Sequence, residues 1–412
     1  MRSHSMTAVI SEASGPLASP HDHGEPSVQP DQRALLLALG GAVFMVNLDG
    51  RVIAPLLPTL SAELGISISR AGWLVSAYMV PYGLFQLSFG PLADRYGKIT
   101  VCTYALAAFS VGTACCGLWP SFVSIFILRA LTGAAAAGLI PLTLAYIGDT
   151  VPYERRQATI ATLMASGGAA QALGTAAGGT IAALLSWRAV FPCLGLLSGA
   201  VCVALYVFKR NEVRLPRGPK VSYATVLAAP RMRGLLALVS TEGFLFFGTF
   251  SYLSGLLEAH FGLDALAIGG VLALSGLSQL VTARILPRLI GRIPERVMLG
   301  AGAASMGLAY LMSAFAPAVW VVAVACVIAG IGWMLCHTTL QTYATEVFPS
   351  ARGTALAFFA FSLFLGSGIG AVVQGIVLEH AGITASFAIA GAGLCMFASV
   401  VQLLAVKRPS AS

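Results

Sequence analysis

Apolar stretches of about twenty residues follow one another along this chain of 412 residues. Each stretch is long enough to cross a hydrocarbon core of about 30 Å as an α-helix. Only 10% of the residues are charged, whereas a soluble domain carries about 25%, so this chain lacks the polar surface to cover itself in water. The sequence therefore predicts an all-α polytopic membrane protein. Its twelve predicted segments are 34–57, 71–92, 99–119, 121–147, 158–184, 188–208, 232–257, 265–288, 297–315, 318–344, 354–378 and 384–406.

The distribution of positive charge predicts the orientation of these segments. Most of the 24 Lys and Arg residues fall in the N-terminal tail, in the loops after even-numbered segments and at the C-terminus. Loops rich in Lys and Arg are typical of the cytoplasmic face, so both termini are predicted to be cytoplasmic. The net charge of +8 is then explained by topology and by anionic lipid headgroups rather than by nucleic acid.

Composition divides the chain into two tails, two bundles and a linker. Residues 1–32 are rich in Ser, Pro, His and acidic residues and predict a disordered cytoplasmic tail, and residues 407–412 predict a second one. The basic, proline-containing stretch 209–230 predicts a cytoplasmic linker. It separates a bundle of six segments at 33–208 from another at 231–406.

The two bundles repeat each other. In each half, the loop between the fourth and fifth segments contains the same pattern. An acidic residue is followed by a proline three positions later and by an arginine six positions later. The positions are Asp149, Pro152 and Arg155, and then Glu346, Pro349 and Arg352. Duplicated six-helix units are typical of secondary transporters, in which the substrate site lies between the halves near the midplane. The sequence therefore predicts two pseudo-symmetric bundles around a central site.

Several kinds of chemistry are not predicted. All eight cysteines lie in apolar segments, where cysteine behaves as a small hydrophobic residue, and no C-x-x-C is present. The chain has no metal set, no nucleotide loop of the form G-x-x-x-x-G-K-S/T and no nucleophile constellation. We therefore expect neither an enzyme nor an ATP-driven pump, and no cofactor, with a proton gradient as the energy source.

The charged run from Gly90 to Lys98, between segments 2 and 3, resembles the signature loop of the major facilitator superfamily, G-x-L-A-D-R-x-G-R/K. The matching positions are Gly90, Leu92, Ala93, Asp94, Arg95, Gly97 and Lys98. The resemblance implies a twelve-helix carrier whose two halves rock about a central cavity. It also implies a cytoplasmic gate at this loop. In the second half, around Leu286 to Arg292, the counterpart has lost its acid because Arg288 replaces the aspartate.

The gate residues carry specific expectations. Gly90 and Gly97 are expected to permit a tight reversal of the chain. By resemblance, Asp94 is expected to accept hydrogen bonds at the start of segment 11, near Arg352. Two predicted helix ends carry an acidic residue close to arginine: Asp149 lies near Arg155, and Glu346 lies near Arg352. We expect gate salt bridges at these two helix ends.

Two further motifs resemble the same superfamily. Arg129, followed at four residues by a glycine, is similar to its second motif and predicts an inward-facing functional arginine; the alternative is an arginine that snorkels from a helix end. In segment 5, Gly174, Gly178 and Gly179 resemble the antiporter motif G-x-x-x-G-P-x-x-G-G of drug–proton exporters. Thr175 replaces the proline of that motif and Ala170 its first glycine.

Two carboxylates lie inside predicted helices and are the candidate proton-coupling groups. Asp49 falls in segment 1 and Glu242 in segment 7, and the resemblance implies that these segments line the cavity. A buried carboxyl group exchanges protons when its surroundings change. For Asp49 the alternative is a structural ion pair with Arg51 or Arg129. The Glu-Gly-Phe sequence at Glu242 also resembles a sugar- or drug-exporter branch.

Polar and aromatic side chains at four-residue steps predict the substrate cavity. Packing is the alternative for the aromatic stripes, and for His337 a helix-packing role stands beside titration near neutral pH. The cavity candidates are Arg51, Tyr78, Tyr82, Gln86, Arg129, Gln171, Phe246, Trp333, His337 and Gln341.

The leading functional prediction is a proton-coupled exporter of small organic or drug-like molecules, resembling the twelve-helix drug–proton antiporters. The alternative is a proton-coupled symporter that imports a small organic anion or a sugar-like nutrient. A receptor or scaffold without transport activity is a third class, against which the intact gate motif argues. We expect a monomer in the bacterial cytoplasmic membrane, whose partners are protons, lipid and a small-molecule substrate.

Overall fold

The computed structural model describes residues 30–119, 121–209, 223–348 and 352–406. Within these ranges the regular secondary structure is helical, apart from an isolated β-bridge between Ile290 and Ile293. Helices are the expected solution for this chain, because a lipid environment leaves every backbone polar group to be satisfied within the segment. Three predicted regions lie wholly or mostly outside the described residues. They are the predicted tail 1–32, of which residues 1–29 are not described, most of the predicted linker, and the tail 407–412.

The described residues of the first half form nine α-helices. They are α1 (Pro30–Val52), α2 (Leu57–Leu64), α3 (Ile68–Gln86), α4 (Phe89–Tyr96), α5 (Lys98–Cys116), α6 (Phe122–Ala136), α7 (Leu139–Thr150), α8 (Tyr153–Leu184) and α9 (Trp187–Phe208).

The second half begins with the short helix α10 (Tyr223–Ala228) and is interrupted once by a five-residue π-helix, Gly243–Phe247. The remaining helices are α11 (Pro230–Glu242), α12 (Gly248–Phe250), α13 (Leu253–Phe261), α14 (Ala265–Leu289), α15 (Glu295–Ala314), α16 (Val319–Val347), α17 (Arg352–Ala381) and α18 (Ile383–Val406).

The prediction of an all-α membrane protein is confirmed. Ten helical stretches of the described residues are long and apolar enough to cross a membrane. The other two predicted segments fall on α3 with α4 and on α8, so the helices are consistent with twelve spans. Composition explains the lower hydropathy of both: α3 contains Arg70, two serines, two tyrosines and Gln86, and α8 is rich in glycine, alanine and threonine and packs between α1 and α14.

Two separate hydrophobic cores hold the bundles together. One is built almost entirely from α1 to α9, and the other almost entirely from residues 226–401. Between the bundles, α8 packs against α14 and α3 packs against α17. Glycines bring these backbones close: a Cβ on Gly179 would lie 2.2 Å from the carbonyl oxygen of Ala265, and one on Gly83 would lie 3.1 Å from that of Phe361. Small residues have this role in membrane helices because they allow close backbone approach.

The helix ends repeat between the halves. Gly65 ends α2 with φ +62°, and Gly262, 197 residues later, ends α13 with φ +63°. Glycine adopts this left-handed conformation at little cost, so both ends stop sharply. We call the side of the bundle where α1 begins and α18 ends the terminal face, and the side that carries Gly65 and Gly262 the opposite face.

Candidate substrate and proton site

The first buried carboxylate, Asp49 on α1, pairs with Arg129 on α6. The Arg129 Nη1 donates a hydrogen bond of 2.6 Å to the Asp49 Oδ2, and both side chains are completely buried. The guanidinium also lies over the Tyr78 ring, 4.2 Å from its centroid. Arg129 is therefore an interior residue and does not snorkel. The sequence left open an ion pair of Asp49 with either Arg51 or Arg129, and the structure has the pair with Arg129.

The second buried carboxylate, Glu242 at the end of α11, faces His337 on α16. The Glu242 Oε2 lies 3.2 Å from the His337 Nδ1. Trp333, one turn earlier on α16, stacks on the imidazole at 4.6 Å, and Phe359 of α17 contacts it at 5.2 Å. The imidazole is thus held against the carboxylate by rings on two helices. Among the described residues, each half therefore has one completely buried carboxylate beside a basic side chain.

The π-helix that begins directly after Glu242 changes which aromatic residue faces the centre. Phe246 was predicted to line the cavity with Glu242, and this prediction is wrong. Its ring stacks on Tyr310 at 5.8 Å within the core of the second half. The prediction assumed an uninterrupted α-helix, but a π-turn shifts the phase of the following residues. Phe247 faces the cavity instead.

A cavity lies between the two bundles. Its walls come from α1, α3, α8, the π-helix, α17 and the turns beside α2 and α13. Among its described lining residues, Arg51 alone is charged, and Gln171, Met79, Phe247, Phe250 and Ser367 surround it. The Arg51 guanidinium lies over the Phe247 ring, 4.2 Å from its centroid. A cation–π contact of this kind contributes about 0.5–2 kcal/mol, which does not replace a carboxylate partner.

Ring contacts connect the cavity to the second carboxylate. Phe247 meets Trp333 edge to face at 5.6 Å, and Trp333 stacks on His337. A continuous set of contacts therefore runs from Arg51 in the first half to Glu242 in the second.

Several buried polar atoms of this region have no hydrogen-bond partner among the described residues. Such atoms are rare in folded proteins and mark functional or water-accessible sites. They include the Asp49 Oδ1, the Glu242 Oε1, the Gln171 Nε2, the Gln86 Oε1, the Trp333 Nε1, and the hydroxyl groups of Tyr78 and Tyr82.

The other predicted cavity residues are distributed unevenly. Tyr78 and Tyr82 stack on each other at 5.9 Å, and Tyr82 also contacts Phe364 of the other half at 4.3 Å. Gln86 is buried nearer the terminal face, and Gln341 is partly buried one turn beyond His337 on α16. The structure brings Arg51 and Gln171 together in the cavity, while Tyr78 and Arg129 lie behind it around Asp49.

The glycines of the antiporter-like motif are contact points of α8. A Cβ on Gly174 would lie 2.9 Å from the carbonyl oxygen of Leu48, and one on Gly178 would lie 2.8 Å from Val52. Gly179 faces α14. Thr175, where the motif has proline, donates its hydroxyl hydrogen bond to the backbone oxygen of Gln171 at 2.9 Å. A proline at position 175 has no backbone N–H, so the Gln171 carbonyl oxygen would lose the backbone hydrogen bond that it accepts in a helix. Thr175 therefore leaves in place the backbone N–H that a proline at this position would remove.

The signature loop is more helical than predicted. Residues 89–96 form α4, and the chain reverses at Gly97, which has φ +93°. The expectation that Gly90 takes part in a tight reversal is wrong: Gly90 is inside α4, where a Cβ would only touch the Tyr223 hydroxyl at 3.8 Å. Lys98, the first residue of α5, forms an ion pair with Asp149 at the end of α7. This contact joins two loops at the terminal face of the first half.

The linker also reaches this loop. The Tyr223 hydroxyl on α10 donates a hydrogen bond of 3.0 Å to the carbonyl oxygen of Leu87, and its ring contacts Phe358 of α17 edge to face at 5.6 Å. Partial burial, together with the nearby charge of Asp94, raises the pKa of the Tyr223 phenol. Tyr223 thus connects the bend between α3 and α4 to the other half, a contact that nothing in the sequence pattern indicated.

The remaining gate residues lie at the terminal face. Asp94 and Arg95 are exposed on α4, and the Arg95 guanidinium lies over the Tyr96 ring at 5.1 Å. Glu346 and Arg352 are exposed on either side of residues 349–351, which lie outside the described ranges. Arg155 is partly buried near the start of α8. The expected contact between Asp94 and the start of segment 11 stays a prediction.

The described part of the chain brings no three His, Cys, Asp or Glu side chains together as a metal site. The residues that sequence reasoning missed are Phe247, Phe250, Met79 and Ser367 of the cavity and Tyr223 of the gate. The run of aromatic residues after Glu242 is the only sequence signal that pointed to the first two.

Comparison with known proteins decides the family. The family model of the major facilitator superfamily matches residues 39–371. The chain belongs to the major facilitator superfamily. Its gate loop, its two bundles and its central cavity are thereby those of a membrane transporter.

Three relatives and two solved structures illustrate what this major facilitator resembles. The uncharacterised transporter YceJ of Bacillus subtilis is 28% identical over 82% of this chain and 87% of its own length. The efflux pump roqT of Penicillium rubens is 31% identical over 52% of this chain and 38% of its own. The puromycin resistance protein pur8 of Streptomyces alboniger is 34% identical over 39% of this chain and 32% of its own.

The structural neighbours share the fold at low sequence identity. A bacterial homologue of the human lysosomal transporter Spinster, in an inward-facing state, has a TM-score of 0.76 at 18% identity and covers 94% of this chain and 100% of its own. A D-xylose–proton symporter has a TM-score of 0.71 at 16% identity, with coverages of 90% and 97%. The prediction of the major facilitator fold is confirmed, and neither neighbour decides the direction of transport.

Proposed function

We propose that this major facilitator is a proton-coupled exporter of small organic, drug-like molecules that works by alternating access. The observation that carries the proposal is the presence of one buried carboxylate with a basic partner in each half, Asp49 with Arg129 and Glu242 with His337, next to the cavity between the halves. Hydration and the distance to the basic partner decide whether a buried carboxyl group holds a proton. Rocking of the halves changes both quantities, so proton binding and cavity orientation become linked.

The names of two relatives support export as the direction of transport. Two relatives carry names of export or resistance, the efflux pump roqT and the puromycin resistance protein pur8. We place the chain in the bacterial cytoplasmic membrane, as a monomer with both termini in the cytoplasm, because the positive charges gather on that face.

Import is the second candidate function, as a proton symporter for a small organic anion or a sugar-like nutrient. The observation that favours it is Arg51, a cation in the cavity wall that has no carboxylate partner among the described residues. The fold is compatible with this function, since a D-xylose–proton symporter shares it.

Proton movements in membrane vesicles separate the two functions. Everted vesicles are acidified inside by respiration, and puromycin, D-xylose or 2-naphthoate is then added while a fluorescent pH probe reports the lumen. An exporter releases lumenal protons when its substrate is added. A symporter instead takes up protons with its substrate in right-side-out vesicles. Vesicles with an Asp49→Asn and Glu242→Gln double variant are the negative control.

A second control tests for unspecific loss of charge. Glu63 is an exposed carboxylate at the opposite face, paired with Arg188 at 3.1 Å, and Glu63→Gln removes the same charge outside the cavity. We expect normal proton movement in this variant. Substrate-dependent proton movement in right-side-out vesicles alone would contradict the export proposal.

A further inference from the structure

The charge balance of the cavity is uneven. Arg129 is compensated by Asp49 at 2.6 Å, and Glu242 by His337 at 3.2 Å. No carboxylate pairs with Arg51 in the part of the chain that the structure describes, and its guanidinium contacts the face of Phe247. Of the two arginines at the centre, Arg129 has a carboxylate partner, and Arg51 has none among the described residues.

This uncompensated charge points into the space that a substrate would occupy. Arg51 lines the cavity, whereas Asp49, Arg129 and Glu242 are not among its lining residues. A substrate in this cavity therefore meets a guanidinium without meeting a carboxylate. A cationic molecule is disfavoured there, and an anionic one gains a partner that is not already used by the protein.

A second group supports anion binding at the same place. Gln171 on α8 also lines the cavity, is almost completely buried, and its amide Nε2 has no hydrogen-bond acceptor among the described residues. A guanidinium and an amide N–H that face one cavity are the donors that a carboxylate accepts. The hydroxyl hydrogens of Ser251 and Ser367 are used within their own helices, on the carbonyl oxygens of Phe247 and Leu363.

The rest of the cavity wall is apolar. Met79, Phe247 and Phe250 provide a thioether and two rings beside the guanidinium. A wall of this composition contacts a flat or aliphatic group, while the two donors hold one acidic group in place.

We propose that the cavity binds amphipathic organic anions, with the carboxylate on Arg51 and Gln171 and the apolar body on Phe247, Phe250 and Met79. The inference deepens the proposed transport function by naming a substrate class. It rests on that function only in assuming that the cavity is the transport site.

Equilibrium binding to the purified full chain in detergent tests the inference without any transport step. The probes are three pairs of similar shape in which a neutral amide replaces the carboxylate: benzoate and benzamide, 2-naphthoate and 2-naphthamide, hexanoate and hexanamide. At pH 7 we expect at least one carboxylate to bind tenfold or more tightly than its amide. Arg51→Gln is expected to weaken the carboxylate about tenfold to a hundredfold, as for loss of charge-assisted hydrogen bonds, and to leave the amide unchanged.

Matched variants make the result specific. Arg70 is exposed at the opposite face and lies over the Phe122 ring at 5.1 Å, so Arg70→Gln removes the same charge and a similar ring contact outside the cavity. We expect this variant to bind both members of every pair normally, and Arg51→Lys to recover part of the carboxylate preference. Unchanged amide binding by Arg51→Gln shows that its cavity is still formed.

Two results would overturn the inference. One is that no carboxylate binds more tightly than its amide, and the other is that Arg51→Gln weakens amide and carboxylate equally. Failure of the proposed transport function is distinguishable from both. A carboxylate preference that depends on Arg51, in a protein that moves no protons in vesicles, would support the anion site and refute the coupling.

Discussion

Breaking the buried pair of Asp49 and Arg129 has a large and specific expected cost. Asp49→Asn leaves a guanidinium in the interior without its counter-ion, and removing one partner of a buried pair costs about 3–5 kcal/mol of folding stability. The pair has a single hydrogen bond of 2.6 Å, and the Asp49 Oδ1 and Arg129 Nε have no partner among the described residues. The Tyr78 ring also remains over the guanidinium. We therefore expect about 3 kcal/mol, the lower end of the range.

A double-mutant cycle isolates the interaction. Asp49→Asn, Arg129→Gln and the double variant are unfolded in mixed micelles by titration with sodium dodecyl sulfate, and helicity is followed by circular dichroism. Because the double variant leaves no buried charge, we expect it to be about as stable as either single variant. The coupling free energy is then about 2–3 kcal/mol.

The same cycle on a surface pair is the control. Lys98 and Asp149 also form an ion pair, but their side chains are 30% and 37% exposed. Exposed pairs contribute about 0.2–1 kcal/mol, so we expect a coupling within that range. A coupling below about 0.5 kcal/mol for Asp49 and Arg129 would refute the assignment of a buried ion pair.

Four further substitutions test the gate and the packing between halves. Gly97→Ala forces a side chain into φ +93° and is expected to cost about 1–3 kcal/mol of unfolding free energy; unchanged stability would show that the turn relaxes. Gly179→Ala places a Cβ 2.2 Å from the Ala265 carbonyl oxygen, whereas Gly167→Ala meets nothing within 4 Å. The first is expected to lower stability and transport and the second to change neither, so equal effects would refute the packing argument. Asp94→Asn is expected to abolish transport with normal folding, and full transport in vesicles would contradict a gating role.

Hydropathy predicted most of the fold, because lipid imposes a length and a composition on every crossing. It could not predict where helices break. Pro55 lies within the first apolar segment and Pro58 directly follows it, and the chain there passes from α1 through a 3-10 turn into α2. The sequence shows the prolines, but apolar helices of membrane proteins also contain prolines without ending, as α3 does at Pro81.

The site was predictable as a set of residues and not as a set of contacts. Asp49, Arg129, Glu242 and His337 stood out because charged and titratable residues are costly inside apolar helices. Their pairing depends on how α1 crosses α6 and how α11 faces α16, which helical periodicity within one segment does not determine.

The errors have the same origin. Phe246 was placed in the cavity by counting four residues from Glu242, and the π-helix moves Phe247 into that position. Gly90 was expected to permit a tight reversal because glycine allows one, yet the residues from Phe89 onward continue as α4. In the first case the helical phase, and in the second the helix boundary, depends on tertiary packing.

The central claim is that the buried carboxylates couple substrate movement to protons. The most direct measurement is exchange of radiolabelled substrate across vesicles carrying Asp49→Asn or Glu242→Gln, with and without an imposed pH gradient. We predict that at least one variant exchanges substrate at equilibrium but no longer responds to the gradient, while Glu63→Gln responds normally. Normal gradient-driven transport by both cavity variants would contradict the account.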